Sequence, residues 1–401
     1  MSGARRVGVV GAGIVGLAVA ARVQAVDPGA DVTVLEAEDV VGRHQTSHNS
    51  GVVHAGVYYP EGSLKARLCR RGVGLLQAYC AERGLPYDAC GKLIVALDAG
   101  QLARLDALEA RARANGVPGL ARVDRAGIAR IEPHAAGVAA LHSPHTAMTD
   151  FAAVAGALAR DVAAAGGRVR TGWPVAVISR RGREVVVRRG GEAGDALAFD
   201  RLVLCGGLQS DRLARLAGDA AEPRIVPFRG EYLRLRPRRA HLVRGLIYPV
   251  PDPGLPFLGV HFTRRVDGAV DIGPNAVPAF SRSGYDRLAF DVADARATLG
   301  ARGFWRLARR WWRFGAAEVA GSASVRWYIR SARRYVPELT AADVVRGPAG
   351  LRAQAIDARG TLLDDFAISQ LGPVTAVRNA PSPAATSALA IAEHVVERLK
   401  E

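Results

Sequence analysis

The densest group of polar side chains in the sequence lies in the run GRHQTSHNSGVVHAGVYY, residues 42–59. Its candidate chemical groups are His44, His48, His54, Tyr58 and Tyr59. Because histidine titrates near neutral pH, His54 could serve as a base or a hydrogen-bond donor beside a redox ring. Its apolar neighbours suit a structural histidine equally well, so both interpretations stay open. Glycines separate the histidines and the run holds no carboxylate, so we predict no metal site.

Two further candidates lie in apolar, strand-like sequence. Arg352 is part of AGLRAQAID, where an unpaired buried guanidinium would be costly. We therefore expect an anionic partner for Arg352, either a protein carboxylate or a substrate carboxylate held by two parallel hydrogen bonds. His261 lies in FLGVHFTRR, where strand alternation puts residues 261 and 263 on one face; a structural role is its alternative. The candidate catalytic residues are His54, His261, Arg352 and Tyr59.

The elements that would position these groups begin near the N-terminus. A short apolar run, RVGVV, is followed by GAGIVG (11–16), a helix-like segment and the β-branched run VTVLE, which ends in Glu36. This order, with an acid 20 residues past Gly16, is typical of a dinucleotide-binding βαβ unit. There Gly11 permits the tight turn, Gly13 admits a pyrophosphate and Gly16 allows close helix packing. The helix N-terminus offers N–H groups to the phosphates, and Glu36 would bind the adenosine ribose.

The rest of the chain divides into two kinds of segment. Strand and helix patterns alternate again over 151–217, and a buried strand there ends in glycines at LVLCGG. By contrast, 221–335 is rich in strand-like runs, followed by basic helices. In PFRGEY we expect Arg229 and Glu231 to pair with each other or with the backbone. The alternation suits a flavin-type fold built from discontinuous segments.

Composition narrows the class of protein. Of the 401 residues, 49% are apolar and 23% are charged, which allows a large core and excludes a disordered chain. No uncharged run approaches the roughly 18–20 apolar residues of a membrane-spanning helix. The four cysteines form no CxxC pair, which argues against a disulfide framework or a zinc module. We expect a cytoplasmic protein.

The net charge of +16 has two explanations. Only three of the 54 basic residues are lysines, and this arginine content is typical of a GC-rich coding sequence as much as of a basic surface. Residues 301–336 nevertheless contain nine arginines and one acid, Glu318. Helical spacing places four aromatic or aliphatic residues on one side, namely Phe304, Leu307, Trp311 and Phe314. Such helices either dock peripherally at the inner face of an anionic membrane, close to a quinone, or bury their aromatic rings against the substrate domain.

Several long motifs are specific enough to indicate a family. They are GAGIVG, HQTSHNSGVVHAGVYYPEGSLKA, CGKLIVA, PFRGEY, YPVPDPGLPFLGVHFTR, GPNA, AGLRAQA and NAPSPAATSALAIAEH. Together they resemble the L-2-hydroxyglutarate dehydrogenase/oxidase family, FAD enzymes of the D-amino-acid oxidase and glycerol-3-phosphate dehydrogenase superfamily. The resemblance covers about residues 5–400. It implies FAD as cofactor and oxidation of a 2-hydroxy acid, L-2-hydroxyglutarate to 2-oxoglutarate, by hydride transfer to flavin N5.

The fold that the resemblance implies is α/β and D-amino-acid-oxidase-like. A Rossmann-type FAD-binding domain is covered by a second, β-rich substrate domain. The FAD-binding segments are expected at 1–90, 150–220 and 340–401, and the substrate-domain segments at 91–149 and 221–339.

The resemblance also implies roles for single residues. The expected FAD contacts are Gly11, Gly13, Ile14, Val15, Gly16, Glu36, Thr46, Asn49, Ser50, Gly51, Val175, Gly206, Ser382, Ala384, Ala385 and Thr386. Arg352 matches the arginine that grips the substrate carboxylate in related amino-acid oxidases. Covalent attachment of FAD near His48 is not expected of this family.

Other functions would keep the same motifs. An amine or amino-acid oxidase is one alternative, and a 2-hydroxy-acid oxidase of a biosynthetic pathway is another. A basic flavoprotein that binds nucleic acid would need a basic face with aromatic side chains for stacking, and we expect no nucleic acid. The expected partners are a small dicarboxylate or other 2-hydroxy-acid substrate, and either oxygen or a quinone to reoxidise the flavin.

Overall fold

The computed structural model of the protein describes residues 4–182, 184–191 and 195–399. Its helices are α1 (Ile14–Val26), α2 (Leu64–Arg83), α3 (Leu102–Ala114), α4 (Arg125–Ile131), α5 (Phe151–Ala164), α6 (Ser210–Leu216), α7 (Val292–Leu299), α8 (Arg302–Arg310), α9 (Trp312–Ala323), α10 (Val325–Arg333) and α11 (Ala388–Arg398). Its strands are β1 (Arg6–Val10), β2 (Asp31–Leu35), β3 (Val52–Val53), β4 (Tyr87–Asp88), β5 (Lys92–Ala96), β6 (Ala121–Asp124), β7 (Ala139–Ser143), β8 (Ala147–Thr149), β9 (Arg168–Arg170), β10 (Val175–Arg181), β11 (Glu184–Arg189), β12 (Ala196–Phe199), β13 (Arg201–Leu204), β14 (Arg224–Leu235), β15 (Leu246–Pro249), β16 (His261–Arg264), β17 (Val270–Gly273), β18 (Val277–Pro278), β19 (Val344–Ile356), β20 (Ala367–Leu371) and β21 (Val374–Asn379).

The first sheet is the dinucleotide-binding type that the sequence predicts. Its strand order is β20-β21-β13-β1-β2-β9, and all neighbours are parallel except the antiparallel edge strand β20. Helices α1, α5 and α11 cover one face in a common apolar core. The three-stranded sheet β10-β11-β12 and helix α6 pack against the other face. Because both faces are covered, β1 and β13 are almost entirely apolar and buried.

The second sheet has nine strands and covers the first domain. The order is β18-β14-β17-β16-β15-β5-β7-β6, and β19 pairs with β14. One face buries Leu233, Phe262 and Ile272 against helix α10 and the chain that follows it. The other face packs Ile94 and Tyr248 against the segment that contains β3. This second face therefore looks toward the loop that holds His54.

Strand β19 differs from the predicted domain division. The sequence assigns residues 340–401 to the FAD-binding domain, but β19 forms a long antiparallel ladder with β14, from Arg224↔Ile356 to Leu235↔Val344. The ladder satisfies the backbone of both strands, so β19 belongs to the second sheet. Arg352 is consequently presented by the substrate-domain sheet and not by the dinucleotide-binding sheet.

Among the described residues, no helix combines the length and the apolar composition that crossing a bilayer would require.

Candidate active site

The turn between β1 and α1 contains two kinds of glycine. Gly11 has φ 101°, and a Cβ there would overlap the carbonyl oxygen of Cys205; a Cβ at Gly16 would overlap the carbonyl oxygen of Gly11. At Gly13 the nearest protein atom to a Cβ is Thr46 Oγ1 at 3.4 Å, and φ is −74°. The fold itself thus requires Gly11 and Gly16, whereas the missing side chain at Gly13 leaves room for a ligand.

The space beside Gly13 has the chemistry of a dinucleotide site. It lies at the N-terminus of α1, where free N–H groups and the helix dipole favour a phosphate. Glu36 follows β2 and is 9% exposed. Its Oε2 accepts a hydrogen bond from the Ala12 N–H at 2.6 Å, and its Oε1 accepts one from the Glu38 N–H at 3.0 Å. These bonds fix a carboxylate where a ribose hydroxyl can donate to it, so the residues present fit the pyrophosphate and ribose of FAD.

Gly13→Val should give a folded protein that lacks FAD. Backbone conformation and neighbouring protein atoms tolerate a side chain at residue 13, but the valine would fill the space of the pyrophosphate. The flavin absorbance of the purified protein measures retention, and circular dichroism checks folding. Gly74→Val on α2, where a Cβ meets no atom within 4 Å, is the matched control. Normal FAD content in Gly13→Val would show that the phosphate site lies elsewhere.

The loop between β2 and β3 is held against the N-terminus of α1. Thr46 Oγ1 accepts a hydrogen bond from the Ile14 N–H at 3.1 Å. The Asn49 side chain closes the loop on itself: Nδ2 donates to the Thr46 carbonyl at 2.6 Å, and Oδ1 accepts from the Gly51 N–H at 2.8 Å. Ser50 has no hydroxyl hydrogen bond to the described residues. Asn49 therefore sets the shape of the loop, and Ser50 is free to meet a ligand.

The first two histidines of the loop have structural partners. His44 Nε2 lies 2.8 Å from Glu38 Oε1, and its Nδ1 lies 3.2 Å from the Tyr285 hydroxyl. The His48 ring stacks on Tyr285 with ring centroids 3.6 Å apart. Within the described residues, no group of three or more His, Cys, Asp and Glu side chains is arranged to hold a metal ion. These contacts tie the loop to the substrate domain.

His54 follows β3 and lies against the turn before α11. Its N–H donates to Thr386 Oγ1 at 3.1 Å, and its Nε2 lies 3.3 Å from Ser382 Oγ. Its Nδ1 is buried and has no hydrogen-bond partner among the described residues. Burial, together with the positive charge of Lys92, lowers the pKa of His54 well below its ordinary value. His54 is therefore a neutral imidazole with one nitrogen still free.

Lys92, Tyr248 and His261 form a row across β5, β15 and β16, on the face that looks toward His54. Lys92 Nζ lies 4.1 Å from the Tyr248 ring centroid, and the Tyr248 and His261 ring centroids are 4.0 Å apart. The His261 Nδ1–H donates to the Gly259 carbonyl at 3.0 Å, which leaves Nε2 free. Burial lowers the pKa of His261 to about 3, and the charges of Lys92 and Arg352 act in the same direction. As predicted, the next residue, Phe262, points into the opposite core.

Arg352 is a half-buried cation whose charge acts on the partly buried carboxyl of Glu318, against the burial that raises the pKa of Glu318. Its Cζ lies 5.2 Å from the centroid of the Phe257 ring, and no carboxylate of the described residues forms an ion pair with it. Arg229, on the neighbouring strand, does have one: its Nη2 lies 2.8 Å from Glu231 Oε1, which confirms that expected pair. The charge of Arg352 contributes to the lowered pKa of His261.

The other predicted positions differ in their surroundings. The Tyr59 ring is buried beneath Lys65 Nζ at 5.1 Å, and burial raises the pKa of Tyr59 well above its ordinary value, so its hydroxyl stays protonated and offers no phenolate to accept a proton. Val175 begins β10 and packs in the apolar cluster behind β2. Gly206 adjoins Gly11. Val15, Ala384 and Ala385 are partly buried at the starts of α1 and α11. As FAD contacts these residues stay predictions.

The sequence reasoning missed Lys92 as a site residue. Lys92 is 2% exposed and lies in the apolar strand KLIVA. One signal was present: lysine is rare in this chain, so a lysine inside a strand marks a position where arginine does not serve. No sequence pattern indicates that Phe257 covers Arg352, because this contact depends on how the loop of Phe257 folds over strand β19.

The fold and the glycine turn define a dinucleotide-binding protein. The family model described as FAD dependent oxidoreductase matches residues 6–398, so the chain belongs to this family and its cofactor is FAD.

Curated relatives narrow the family further. L-2-hydroxyglutarate dehydrogenase, mitochondrial, of Nematostella vectensis is 45% identical and covers 98% of this chain and 90% of its own length. The Homo sapiens enzyme of that name is 42% identical and covers 98% of this chain and 88% of its own length. L-2-hydroxyglutarate dehydrogenase of an Escherichia coli strain is 39% identical and covers 98% of this chain and 92% of its own length. The resemblance found in the motifs is thereby confirmed.

Solved structures confirm the predicted fold class. L-α-glycerophosphate oxidase from Mycoplasma pneumoniae superposes with a TM-score of 0.81 at 20% identity, over 99% of this chain and 95% of that one. Glycine oxidase from Geobacillus kaustophilus superposes with a TM-score of 0.70 at 17% identity, over 98% of this chain and 95% of that one. At identities this low, the structural similarity shows a shared fold and nothing about function.

Proposed function

We propose that the protein oxidises the C2 hydroxyl of L-2-hydroxyglutarate and releases 2-oxoglutarate. The observation that carries the proposal is the Arg352 guanidinium, which forms no ion pair among the described residues and whose charge acts on His261, one of two neutral, buried histidines. A 2-hydroxy acid needs both features, a cation for its carboxylate and a neutral base for its hydroxyl. The substrate itself is suggested by relatives of 39–45% identity that are named L-2-hydroxyglutarate dehydrogenase.

Arg352 would bind the carboxylate next to the reacting carbon. A guanidinium offers two parallel N–H donors that match a carboxylate, and the partly buried position strengthens this charge-assisted pair. The substrate carboxylate would bind to the part of the Arg352 guanidinium that the Phe257 ring does not cover. Fixing the carboxylate also fixes the hydroxyl and the hydrogen on C2, because both are bonded to the adjacent carbon.

His54 or His261 would accept the hydroxyl proton. Each has one ring nitrogen without a protein partner, and burial keeps each ring neutral at physiological pH. FAD, when bound, supplies the acceptor for the hydride from C2. The chain's contribution is to hold it: Gly13 and the α1 N-terminus at the pyrophosphate, Glu36 at the ribose, and the turn before α11 at the far end.

The product provides a direct test. Purified holoenzyme supplied with L-2-hydroxyglutarate and an artificial electron acceptor should form 2-oxoglutarate in equal amount to the acceptor reduced. Loss of L-glutamate with release of ammonia, and no turnover of L-2-hydroxyglutarate, would favour the amino-acid oxidase alternative instead. A faster reaction with a different 2-hydroxy acid would favour the biosynthetic alternative.

We also propose that a basic aromatic surface, formed by Trp305, Trp312 and Trp327 and the arginines around them, docks at the inner face of an anionic membrane. The three tryptophans are 57%, 63% and 49% exposed. As the spacing predicts, α8 buries Phe304 and Leu307 and turns its arginines outward. Arg313 and Arg330 lie over the rings of Trp312 and Trp327. Exposed indole rings among arginines suit the headgroup region of an anionic bilayer, where a quinone could accept electrons.

Flotation with vesicles tests this surface. The wild-type protein should float with vesicles that contain phosphatidylglycerol and stay behind with phosphatidylcholine alone, because both charge and apolar contact are needed. Replacing the three tryptophans with alanine should weaken binding at least about tenfold. Leu216→Ala with Leu255→Ala, at exposed positions elsewhere, is the matched control and should change nothing. No flotation at low salt would contradict the proposal and leave a cytoplasmic protein, and capture by nucleic acid would assign the surface to another partner.

A further inference from the structure

Lys92 is a buried cation in an unusual setting. Its side chain is almost fully enclosed, yet no carboxylate of the described residues pairs with its ammonium. The other described lysine, Lys65, is equally buried but donates to the Asp364 carbonyl and carboxylate, each at 2.7 Å. Enclosing an ammonium without a counter-ion costs several kcal/mol, so Lys92 is not in place to stabilise the fold.

Aromatic rings surround the Lys92 ammonium instead of acids. Nζ lies 4.1 Å from the Tyr248 ring centroid and 5.4 Å from that of Tyr58. The buried Tyr58 hydroxyl has no hydrogen-bond partner among the described residues. Two π faces attract a cation but do not neutralise it, so they offset only part of the cost of burying the ammonium.

The remaining neighbours do not shift the balance between amine and ammonium decisively. The titratable groups that face Lys92 are His54 and Tyr58 on the loop, Cys69 on α2, Cys90 before β5, Tyr248 on β15 and His261 on β16. Burial is the largest influence and lowers the pKa of Lys92 to about 7, while the two thiols oppose it weakly. At neutral pH much of Lys92 is therefore a free amine, a state that arginine cannot reach.

The two histidines need a proton acceptor of this kind. Burial lowers the pKa of both histidines, so neither holds a proton well. Lys92 Nζ lies 4.1 Å from the Tyr248 ring centroid, which lies 4.0 Å from that of His261, so Nζ is within about 8 Å of the His261 ring. A histidine that takes a proton from the substrate would return it unless a stronger base stands close by.

We infer that Lys92 is the proton reservoir of this site: the proton that leaves the substrate hydroxyl for His54 or His261 moves on to the neutral Lys92 amine. This inference rests on the proposed oxidation. FAD, when bound, would accept the hydride from C2. The substrate O–H bond breaks, the proton reaches a histidine nitrogen, and the Lys92 amine takes that proton to become an ammonium. Release of that proton to solvent resets the site. Lys92 acts through the histidine, so it is a positioning residue and not itself a catalytic one.

Two substitutions separate this role from a purely electrostatic one. Lys92→Arg keeps a positive charge but cannot accept a proton, whereas Lys92→Met keeps the size and packing of the strand without charge. A proton reservoir is lost in both variants. A structural cation is lost only in Lys92→Met and is restored by arginine. Lys65→Met is the matched control, because it removes an equally buried lysine whose partner, Asp364, is 76% exposed and can be solvated.

The experiment follows anaerobic flavin reduction by L-2-hydroxyglutarate against pH in the holoenzymes. The wild-type rate should rise with pH and inflect near 7, because the amine is the active form. Lys92→Met and Lys92→Arg should both lose the inflection and be slower by roughly 10²-fold above it. Lys65→Met should keep the inflection. Rescue by arginine, or an inflection that persists in Lys92→Met, overturns the inference.

A second readout does not depend on turnover. The chain has only three lysines, and the third, Lys400, lies outside the described residues. Holoenzyme labelled with ¹³C at the lysine ε-carbon should show one resonance that titrates near neutrality, and that resonance should be absent from Lys92→Met. If none titrates there, the inference fails whatever the substrate is. If L-2-hydroxyglutarate does not reduce the wild-type flavin, the proposed function fails instead.

Discussion

Arg352→Lys should raise the KM for L-2-hydroxyglutarate strongly while the protein still folds and binds FAD. Lysine keeps the charge but loses the planar fork that matches a carboxylate, and its shorter reach leaves the anion poorly held. We expect a loss of roughly 2–4 kcal/mol in kcat/KM, or about 30- to 700-fold. Steady-state kinetics and the substrate dependence of anaerobic flavin reduction measure the effect.

Arg346→Lys is the control for Arg352→Lys, because it makes the same change at an exposed position on the same strand. Its kinetics should match the wild type. The two variants together separate loss of the carboxylate clamp from a general disturbance of β19. Unchanged substrate affinity in Arg352→Lys would place the clamp on another residue.

Removing the base should act on the rate and not on affinity. His54→Ala or His261→Ala, whichever carries the proton, should slow flavin reduction by about 10²–10⁴-fold at saturating substrate. The physical reason is that a buried site offers no solvent base in place of the imidazole. Stopped-flow reduction of each variant at several substrate concentrations separates rate from binding. His134→Ala, at a partly exposed histidine paired with Glu338, serves as control.

Wild-type reduction rates in both histidine variants would exclude both as the base. A large effect in only one would assign the role. If the proton goes on to Lys92, the effective histidine should show its defect throughout the pH range, whereas the Lys92 variants should differ most from the wild type above pH 7. The two families of variants therefore report on different steps of one proton transfer.

The dinucleotide half of the site could be predicted from local sequence. Gly11, Gly16 and Glu36 act through backbone geometry and bonds within a single βαβ unit, and the structure places them as the motif requires. The alternation that puts His261 and Phe262 on opposite faces of β16 is also predicted directly by the sequence of the strand. Such features depend on neighbours in sequence, so a pattern suffices.

The substrate half depends on contacts between distant segments. Residue 352 meets Phe257 across a loop, and Lys92 meets Tyr248 through parallel pairing of β5 with β15. No periodicity shows which strands become neighbours, so the sequence does not indicate Lys92 as a site residue and places β19 in the other domain. The same limit applies to the histidines. Their neutral state arises from burial beneath two domains, which the sequence does not show.

This chain is an FAD enzyme, and we propose that it oxidises L-2-hydroxyglutarate. Anaerobic addition of that compound to the yellow holoenzyme tests it most directly, with D-2-hydroxyglutarate, L-glutamate and glycerol 3-phosphate added separately for comparison. L-2-hydroxyglutarate should bleach the flavin absorbance completely, and the other three compounds should leave it unchanged. Bleaching by L-glutamate or glycerol 3-phosphate, with a flavin that stays yellow in L-2-hydroxyglutarate, would contradict the proposal.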